Sequence, residues 1–312
     1  MGNNNLTGNI PSSMQYLGGL KSLHLQNNHL SGEISSSLQN CNNLVMVDLS
    51  ENEFIGSIPT WMGERLLHLI VLILRSNKLD GMIPLELCRI SSLKILDLSN
   101  NNLSGAMPWC INNITAMAMK PNSSDFTYGG GGGGGRRCHI YDKCRRTMES
   151  TTSIYLENAN LVTKGSNYQY DKILTLVVSV DLSNNNLSGN IPEELTGLLG
   201  LFSLNLSGNH LIGVIPKKMG DMVSLESLDL SKNQICGEIP PSMSGKIPLS
   251  TQLQSFNASS FLGNKLCGLP LTKNCSVDGE KTNVGNEGDS EGVGSKLDWF
   301  YLSMAFGFAV NM

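Results

Sequence analysis

The sequence has few charged residues and no recognisable catalytic motif. Charged side chains make up 15% of its 312 residues, and the net charge is −4. A mildly acidic chain is not expected to bind nucleic acid, and broad electrostatic steering of a ligand is not indicated. HExxH, Walker and protein-kinase signatures are all missing. The sequence therefore predicts neither an enzyme nor a cofactor.

Three stretches match functional motifs by letter only. Residues 129–135 are seven glycines without the Gly-Lys-Ser/Thr that a phosphate loop requires, so they are interpreted as a flexible tether. Residues 288–292, GDSEG, lie in a polar, acidic segment that offers no strand or helix for a nucleophile elbow. Cys138, His139 and Cys144 lack the second ligand pair of a zinc site, so a small disulfide loop between the two cysteines is favoured.

A repeat of about 24 residues dominates the chain. The stretch LDLSNNNLSG (96–105) returns as VDLSNNNLSG (180–189), and both belong to the pattern L-x-x-L-x-L-x-x-N-x-L-x-G-x-I-P. Seven copies begin at Leu20, Leu44, Leu69, Leu93, Val177, Leu201 and Leu225. The L-x-L alternation predicts short strands with one apolar face, which stack into one continuous core. The recurring asparagine is predicted to satisfy backbone groups of the neighbouring coil.

Two irregularities interrupt this repeat. The pattern asparagine that follows Asn101 is Asn185. The interval between them is longer than one repeat, and the extra residues amount to two and a half repeats. Extra coils would come in whole periods, so this excess predicts an inserted island. Near the end, Ile247 follows Ile239 after only eight residues, so about 16 residues of one coil are missing from the regular period. Within the island, the basic stretch RRCHIYDKCRR (136–146) is either a contact for an acidic partner or a solvated loop.

Further motifs connect these features to a known family. The Gly-x-Ile-Pro ending resembles plant extracellular leucine-rich repeats. Tyr155, eight residues and then Lys164-Gly165 match the Y-x8-K-G island motif of plant leucine-rich-repeat receptor-like proteins, and LQSFNASSFLGNKLCGLPLTKNC (253–275) resembles their C-terminal cap. The chain is similar to the membrane-proximal C-terminal part of the receptors for fungal elicitors such as ethylene-inducing xylanase.

The resemblance implies an α/β leucine-rich-repeat solenoid, with a curved parallel sheet on its concave face, an irregular island and a truncated transmembrane segment. The expected organisation is repeats at 1–116, the island at 117–176, repeats at 177–252 with one coil partly deleted, a cap at 253–277, an acidic juxtamembrane linker at 278–297 and a truncated transmembrane helix at 298–312. The chain opens in mid-repeat, and the apolar stretch from Trp299 to Met312 is shorter than a membrane span, so a truncated copy is expected.

The implied function is a receptor-like protein without a kinase domain. It would recognise a peptide or protein elicitor and signal through adaptor and co-receptor leucine-rich-repeat receptor kinases, in plant defence or development. Its repeats would be extracellular on a single-pass plasma-membrane protein, or secreted or loosely membrane-associated if the truncation is real. The alternative is a secreted leucine-rich-repeat inhibitor of a microbial cell-wall-degrading enzyme.

Two surfaces are predicted to bind partners. The outward mid-strand column is mostly Asp, and the deviating Ile73 has apolar neighbours, which predicts an exposed ligand-binding cluster unless loops or glycans cover it. The set is His24, Val45, Met46, Ile70, Val71, Ile73, Arg75 and Ile95. The co-receptor surface implied by the resemblance is Phe202, Ser203, Asn205, Glu226, Ser227, Asp229 and Lys232. The shortened coil is expected to misalign the adjacent cap and weaken co-receptor binding.

Cysteines and glycosylation sequons indicate a secretory route. The eight sequons are at Asn5, Asn102, Asn113, Asn122, Asn186, Asn205, Asn257 and Asn274. Cys267 and Cys275 are expected to close the cap, and Cys88 and Cys110, on adjacent coils, are a further candidate pair. Cys41 and Cys236 are expected to be unpaired.

Overall fold

The structure, a computed structural model, describes residues 1–119, 159–163, 166–170, 177–244, 256–272 and 275, and only the backbone at 159–163 and 166–170. The first described range contains β1 (Thr7–Gly8), β2 (Ser22–His24), β3 (His29–Gly32), β4 (Met46–Asp48), β5 (Glu53–Ser57), β6 (Val71–Ile73), β7 (Lys78–Asp80), β8 (Ile95–Asp97) and β9 (Ser104–Gly105). The later ranges contain β10 (Ala159–Thr163), β11 (Ser166–Tyr170), β12 (Ser179–Asp181), β13 (Asn186–Asn190), β14 (Ser203–Asn205), β15 (His210–Ile212), β16 (Ser227–Asp229), β17 (Cys236–Glu238) and β18 (Lys265–Cys267).

Short helical segments connect these strands. The α-helices are α1 (Trp61–Arg65), α2 (Thr115–Ala118) and α3 (Pro241–Ser244). The 3₁₀ turns are Ser12–Tyr16, Ser36–Asn40, Leu85–Arg89, Trp109–Asn113, Glu193–Gly197, Lys217–Asp221 and Ala258–Phe261. Five of the 3₁₀ turns begin after a proline that ends the Gly-x-Ile-Pro motif or its variant, namely Pro11, Pro84, Pro108, Pro192 and Pro216. Proline fits this position because it offers no N–H that the turn would leave unpaired.

The main sheet has seven parallel strands in the order β16-β14-β12-β8-β6-β4-β2. Equivalent residues of the repeats are in register, so that Val47 pairs with Leu72 and Leu72 with Leu96. These side chains point into one buried core, together with the other pattern leucines. Each coil contributes one layer of this core, and neighbouring coils cover it on both sides. The predicted strand pattern and continuous core are confirmed.

An asparagine ladder connects the coils. In the coil of β14, the Asn209 side-chain oxygen accepts a hydrogen bond from the Leu187 N–H of the preceding coil (3.0 Å). Its amide donates to the carbonyls of Leu182 (3.0 Å) and Leu206 (3.1 Å), one on each coil. Asn28, Asn52, Asn77, Asn101, Asn185 and Asn233 make equivalent bonds. The role predicted for this residue is confirmed.

The residue before each ladder asparagine has a left-handed backbone. Asn27, Glu51, Ser76, Asn100, Asn184 and Lys232 have φ between 51° and 54°, and Gly208 and Gly263 complete the series. Only glycine, and less readily asparagine, adopts this region without a steric cost. At Gly208 a Cβ would also clash with the side-chain oxygen of Asn184. The sharp turn that presents each asparagine therefore has a backbone cost, which the ladder bonds offset.

The repeats on either side of the insertion form adjacent coils. Strand β12 pairs in register with β8, and Asn185 bonds to Leu103 and Leu98 of the coil that precedes the insertion. Met117, which the sequence assigned to the island, is buried in the main core. Part of the island is regular, because β10 and β11 form an antiparallel pair. The prediction of an irregular island is therefore wrong for β10 and β11.

The cap docks directly on the coil of β16 despite the shortened repeat. Strand β18 pairs in parallel with β17, and Asn264 takes the next place in the asparagine ladder. The Lys232 N–H also donates to the Leu262 carbonyl of the cap (2.7 Å). The expected misalignment of the cap is wrong, since Asn264 supplies the same bonds as the asparagine of a complete coil.

Two disulfides of the described residues are those expected. Cys88 and Cys110 connect adjacent coils, with Cα atoms 5.8 Å apart, and Cys267 and Cys275 close the cap. Cys41 is a buried free thiol and Cys236 an exposed one. The described part of the chain contains no helix long and apolar enough to cross a membrane. The transmembrane helix expected at 298–312 and the pair Cys138–Cys144 lie outside the described residues.

Replacement of Asn209 by alanine tests the ladder. We expect the free energy of unfolding to fall by about 1–3 kcal/mol, because the buried Leu187 N–H loses its partner. The carbonyls of Leu182 and Leu206 each lose one of two side-chain donors and keep the other. Urea unfolding followed by circular dichroism measures the change. Alanine at the exposed Asn112 is the control. Equal stability of the two variants would contradict the structural role of the ladder.

Candidate functional site

The face of the main sheet that points away from the core, called here the outer face, carries two columns of side chains. Register pairing defines both columns. The first column is Ser22, Met46, Val71, Ile95, Ser179, Ser203 and Ser227. The second column is His24, Asp48, Ile73, Asp97, Asp181, Asn205 and Asp229. The pattern positions are apolar in every coil because they fill the main core. The coils therefore differ from one another mainly on the outer face.

An apolar cluster occupies the middle of the outer face. Met46, Val71, Ile73, Ile95 and Val177 are buried and form a second core separate from the main one, called here the outer cluster. Ile70 and Phe202 pack against it. The register of this coil agrees with the sequence alignment, but Val178 fills the main core and Val177 belongs to the outer cluster. The first coil after the insertion thus contributes to both apolar clusters.

The predicted ligand-binding set is far less accessible than expected. Val45, Ile70 and His24 are half-buried, whereas the other five residues are buried. The prediction of an exposed apolar cluster is therefore wrong for Met46, Val71, Ile73, Arg75 and Ile95. Five of the eight residues lie together, since Met46, Val71, Ile73 and Ile95 belong to the outer cluster and Ile70 packs against it.

The acidic residues of the second column form local turns. One carboxylate oxygen of Asp48 accepts from the Ser50 N–H (3.0 Å) and hydroxyl (2.6 Å). Asp97 and Asp181 make the same pair of bonds with Ser99 and Ser183. Each Asp-Leu-Ser triplet thereby satisfies polar groups at the end of its strand. The second carboxylate oxygen of Asp181 accepts from Asn205, the next residue of the column.

Burial dominates the electrostatics of this column. It raises the pKa of Asp97 to about 7, with the adjacent charge of Asp181 as the second cause. Burial also raises the pKa of Asp48 and of Asp181. At the start of the column, burial lowers the pKa of His24, which the Asp48 charge partly opposes. The ring Nε2 of His24 lies 2.6 Å from the Ser22 hydroxyl.

Arg75 is the cation next to these acids. One terminal nitrogen, Nη2, donates to Glu51 Oε1 (2.9 Å). The other, Nη1, lies 3.7 Å from Asp97 Oδ2 and is buried without a hydrogen-bond partner in the described structure. A buried guanidinium is costly unless charged partners surround it. Arg75 is therefore part of the internal charge balance of the sheet rather than a free contact for a ligand.

The predicted co-receptor surface is more accessible. Phe202, Glu226, Ser227 and Asp229 are half-buried, and Lys232 at the end of the coil is exposed. Ser203 is buried, so the structure removes it from the accessible part of this surface. Asn205 is half-buried, and its amide donates to Asp181 Oδ2 (3.2 Å). The surface lies on β14 and β16 and ends at the cap.

Some of the other predicted sites lie outside the described residues and some lie within them. Tyr155, Lys164, Gly165, Asn122 and Asn274 lie outside the described residues. The sequon asparagines Asn5, Asn102, Asn113, Asn186 and Asn257 are exposed. Within the described ranges, no cluster of three or more His, Cys, Asp or Glu side chains is arranged to hold a metal ion.

Comparison with protein families identifies the coils. Residues 175–235, 19–41 and 92–114 match models of the leucine-rich repeat. The fold is an α/β leucine-rich-repeat solenoid. No curated protein matches the sequence. No enzyme family is indicated by these comparisons.

Solved structures with this fold include plant receptor ectodomains. The plant peptide hormone receptor RGFR1 in complex with RGF2 is 28% identical, with a TM-score of 0.59, and the match covers 85% of this chain and 32% of that one. The GASSHO1/SCHENGEN3 ectodomain of Arabidopsis thaliana in complex with CASPARIAN STRIP INTEGRITY FACTOR 2 is 30% identical, with a TM-score of 0.54 and coverage of 88% and 30%.

A third structure contains a co-receptor. The Arabidopsis receptor kinase HAESA in complex with the peptide hormone IDA and the co-receptor SERK1 is 29% identical, with a TM-score of 0.50 and coverage of 89% and 42%. The present chain thus spans about a third of the first two receptor chains and less than half of the third.

The carboxylate pair Asp97–Asp181 is the feature of the outer face that sequence reasoning missed. The two residues occupy the same position in the nearly identical stretches LDLSNNNLSG and VDLSNNNLSG. The insertion separates them widely along the chain, which hid the fact that they are neighbours in the sheet. If the insertion is left out, the two coils are consecutive, and the same repeat position in each predicts that Asp97 and Asp181 are neighbours.

Identical sequons in different environments allow a glycosylation test. Asn102, Asn186 and Asn205 all occur in Asn-Leu-Ser, but only the side chain of Asn205 bonds within the sheet, to Asp181 and Ser207. A glycan on Asn205 would remove these bonds. After expression through a secretory route, we expect glycans on Asn102 or Asn186 and none on Asn205 in the folded fraction. Mass spectrometry of glycopeptides gives the occupancy, and equal occupancy at Asn205 and Asn102 would contradict this expectation.

Proposed function

We propose that this chain is the ligand-binding, extracellular part of a plant cell-surface receptor-like protein. It recognises a peptide or protein ligand on its leucine-rich repeats and engages a co-receptor kinase. The observation that carries the proposal is the similarity of the fold to plant peptide-hormone receptor ectodomains, at identities of 28–30% and TM-scores of 0.50–0.59. The chain spans only part of those receptors, so the proposal concerns the surfaces of the described coils.

The outer face of the main sheet is the proposed ligand surface. A parallel sheet built from stacked coils presents a wide surface whose side chains vary from coil to coil, which suits recognition of an extended chain. Its accessible polar side chains lie at the two ends of the sheet, with His24 at one end and Glu226, Ser227 and Asp229 at the other. The apolar cluster between them stiffens the face and fixes the positions of these polar groups.

The end of the sheet next to the cap is the proposed co-receptor surface. Phe202 supplies an aromatic side chain that is anchored on the outer cluster, and Glu226, Asp229 and Lys232 supply charges around it. An aromatic anchor with a charged rim is a common composition of protein interfaces. Because Lys232 is connected to the cap by its backbone N–H, the surface and the cap form one continuous unit.

The remaining details of the proposal follow from the sequence resemblance. The protein would lack a kinase domain of its own, would be attached to the plasma membrane and would signal through adaptor and co-receptor receptor kinases. Glycans would occupy its exposed sequons. The role would be in defence or development, as for receptors of the fungal-elicitor type.

Charge reversal on the coil of β16 tests the co-receptor surface. We expect Glu226→Lys combined with Asp229→Lys to weaken binding to the SERK1 ectodomain at least about tenfold, because two rim charges that complement the partner change sign. Surface plasmon resonance with immobilised SERK1 ectodomain measures the affinity.

The matched control is Glu194→Lys, in the exposed part of the 3₁₀ turn Glu193–Gly197 away from the sheet. The control is expected to bind like the wild type. Equal affinities of the wild type and the double variant, or no binding of the wild type, would contradict the proposed co-receptor contact.

A further inference from the structure

Asp97 and Asp181 are register-paired on neighbouring parallel strands. They lie on β8 and β12, the strands that flank the insertion. Elsewhere in the described column, each acid has a non-acidic neighbour, since Ile73 separates Asp48 from Asp97 and Asn205 separates Asp181 from Asp229. Only 3% of Asp97 and 5% of Asp181 is exposed. The junction across the insertion therefore brings two buried carboxylates side by side.

The described charges around this pair are unbalanced. Arg75, at the end of β6, faces Asp97 at 3.7 Å but is also paired with Glu51. Asp48 lies beyond Ile73 on β4, and Lys94 precedes β8 on the coil of Asp97. On β14, the neutral amide of Asn205 donates to Asp181. One guanidinium shared among three acids cannot neutralise both members of the pair.

We propose that Asp97 and Asp181 form a proton-binding site, in which the two carboxyl groups hold one proton in the folded protein. Two ionised carboxylates at adjacent buried positions repel each other strongly because little water screens them. Protonation of one carboxyl group removes the repulsion between the two. The proton thus stabilises the pairing of β8 with β12 across the insertion.

The electrostatics support this assignment. Burial and the Asp181 charge raise the pKa of Asp97 from 3.8 to about 7. Between these two values the folded state keeps a proton that the unfolded state has released. Stability therefore falls as the pH rises through this window and levels off above the folded pKa. The two carboxyls titrate as a coupled pair, so the proton belongs to both.

The proton site also touches the proposed co-receptor surface. Asn205 belongs to that surface and donates to Asp181, so loss of the proton would change the charge environment of one of its side chains. This consequence rests on the proposed function. The proton-binding site itself is a property of the free protein and is tested without any partner.

The decisive variant is Asp97→Asn in the full chain. Asparagine is compatible with the column, because Asn205 accepts from the Ser207 N–H and hydroxyl as Asp97 does from Ser99. Asp181→Asn is the second variant, in case the first folds poorly. Asp229→Asn is the matched control, since Asp229 occupies the same column and bonds to Ser231 but is register-paired with Asn205.

Denaturant unfolding from pH 5 to pH 8 gives the first readout. One retained proton lowers the folding equilibrium constant by up to about tenfold per pH unit within the window. The wild type and Asp229→Asn are expected to show this slope between pH 5 and pH 7. Asp97→Asn and Asp181→Asn are expected to show a shallower slope, because burial still raises the pKa of the remaining acid and of Asp48. An unchanged slope in both pair variants would overturn the proposal.

Infrared spectroscopy at pH 6 gives the second readout. We expect the band of a protonated carboxylic acid in the wild type and in Asp229→Asn, and a weaker band in both pair variants. Absence of the band from the wild type would overturn the proposal. Both readouts use the free protein, so a failure to bind SERK1 would contradict the proposed function and leave the proton site standing.

Discussion

The fold depends on one interaction, the hydrogen bonding of a buried asparagine amide to the backbone of two coils. Between the main sheet and the smaller β-pairs, each coil makes a sharp turn in which some backbone groups, such as the Leu187 N–H, bond to a side-chain amide instead of the neighbouring backbone. A side-chain amide offers a donor group and an acceptor in one rigid plane, which is what the turn requires. Asn185 makes these bonds across an insertion and Asn264 makes them in the cap. The solenoid therefore tolerates both a long insertion and a shortened coil, provided that the next asparagine reaches its place.

On the outer face, repetition of identical coils is unfavourable because it places like charges next to each other. The default residue of the second column is Asp, and stacking coils in register places its carboxylates next to each other. The sequence relieves this repulsion with Ile73 and Asn205, and Arg75 adds a cation. At the junction of β8 with β12 two acids remain adjacent and buried. Repetition that stabilises the core is thus electrostatically unfavourable on the sheet surface, and departures from the repeat are concentrated there.

These departures also determine where a partner can bind. The apolar substitutions in the middle of the column produce a second buried cluster, which holds the outer face rigid. Accessible polar groups remain near the cap, on the coils of β14 and β16, where the half-buried Glu226 and Asp229 lie close to the anchored Phe202. Because the cap docks on the last complete coil through Asn264, this region keeps its geometry although the repeat is shortened. Rigidity around a few accessible side chains lowers the entropic cost of binding a partner.

Much of this protein was determined by its sequence alone. The regular period predicted the strands, the common core, the asparagine ladder and the location of the insertion, because each is a local consequence of a residue type recurring at a fixed place. The same count made Cys88 and Cys110 a candidate pair, and the structure contains this disulfide. The tertiary structure alone decided the burial of Ile73 and its neighbours, the exchange of Val177 and Val178 and the direct docking of the cap. It also decided that Asp97 and Asp181 are neighbours. These outcomes depend on which residues lie on the neighbouring strands. A local sequence pattern does not contain the identity of those neighbours, least of all across the insertion between Asp97 and Asp181.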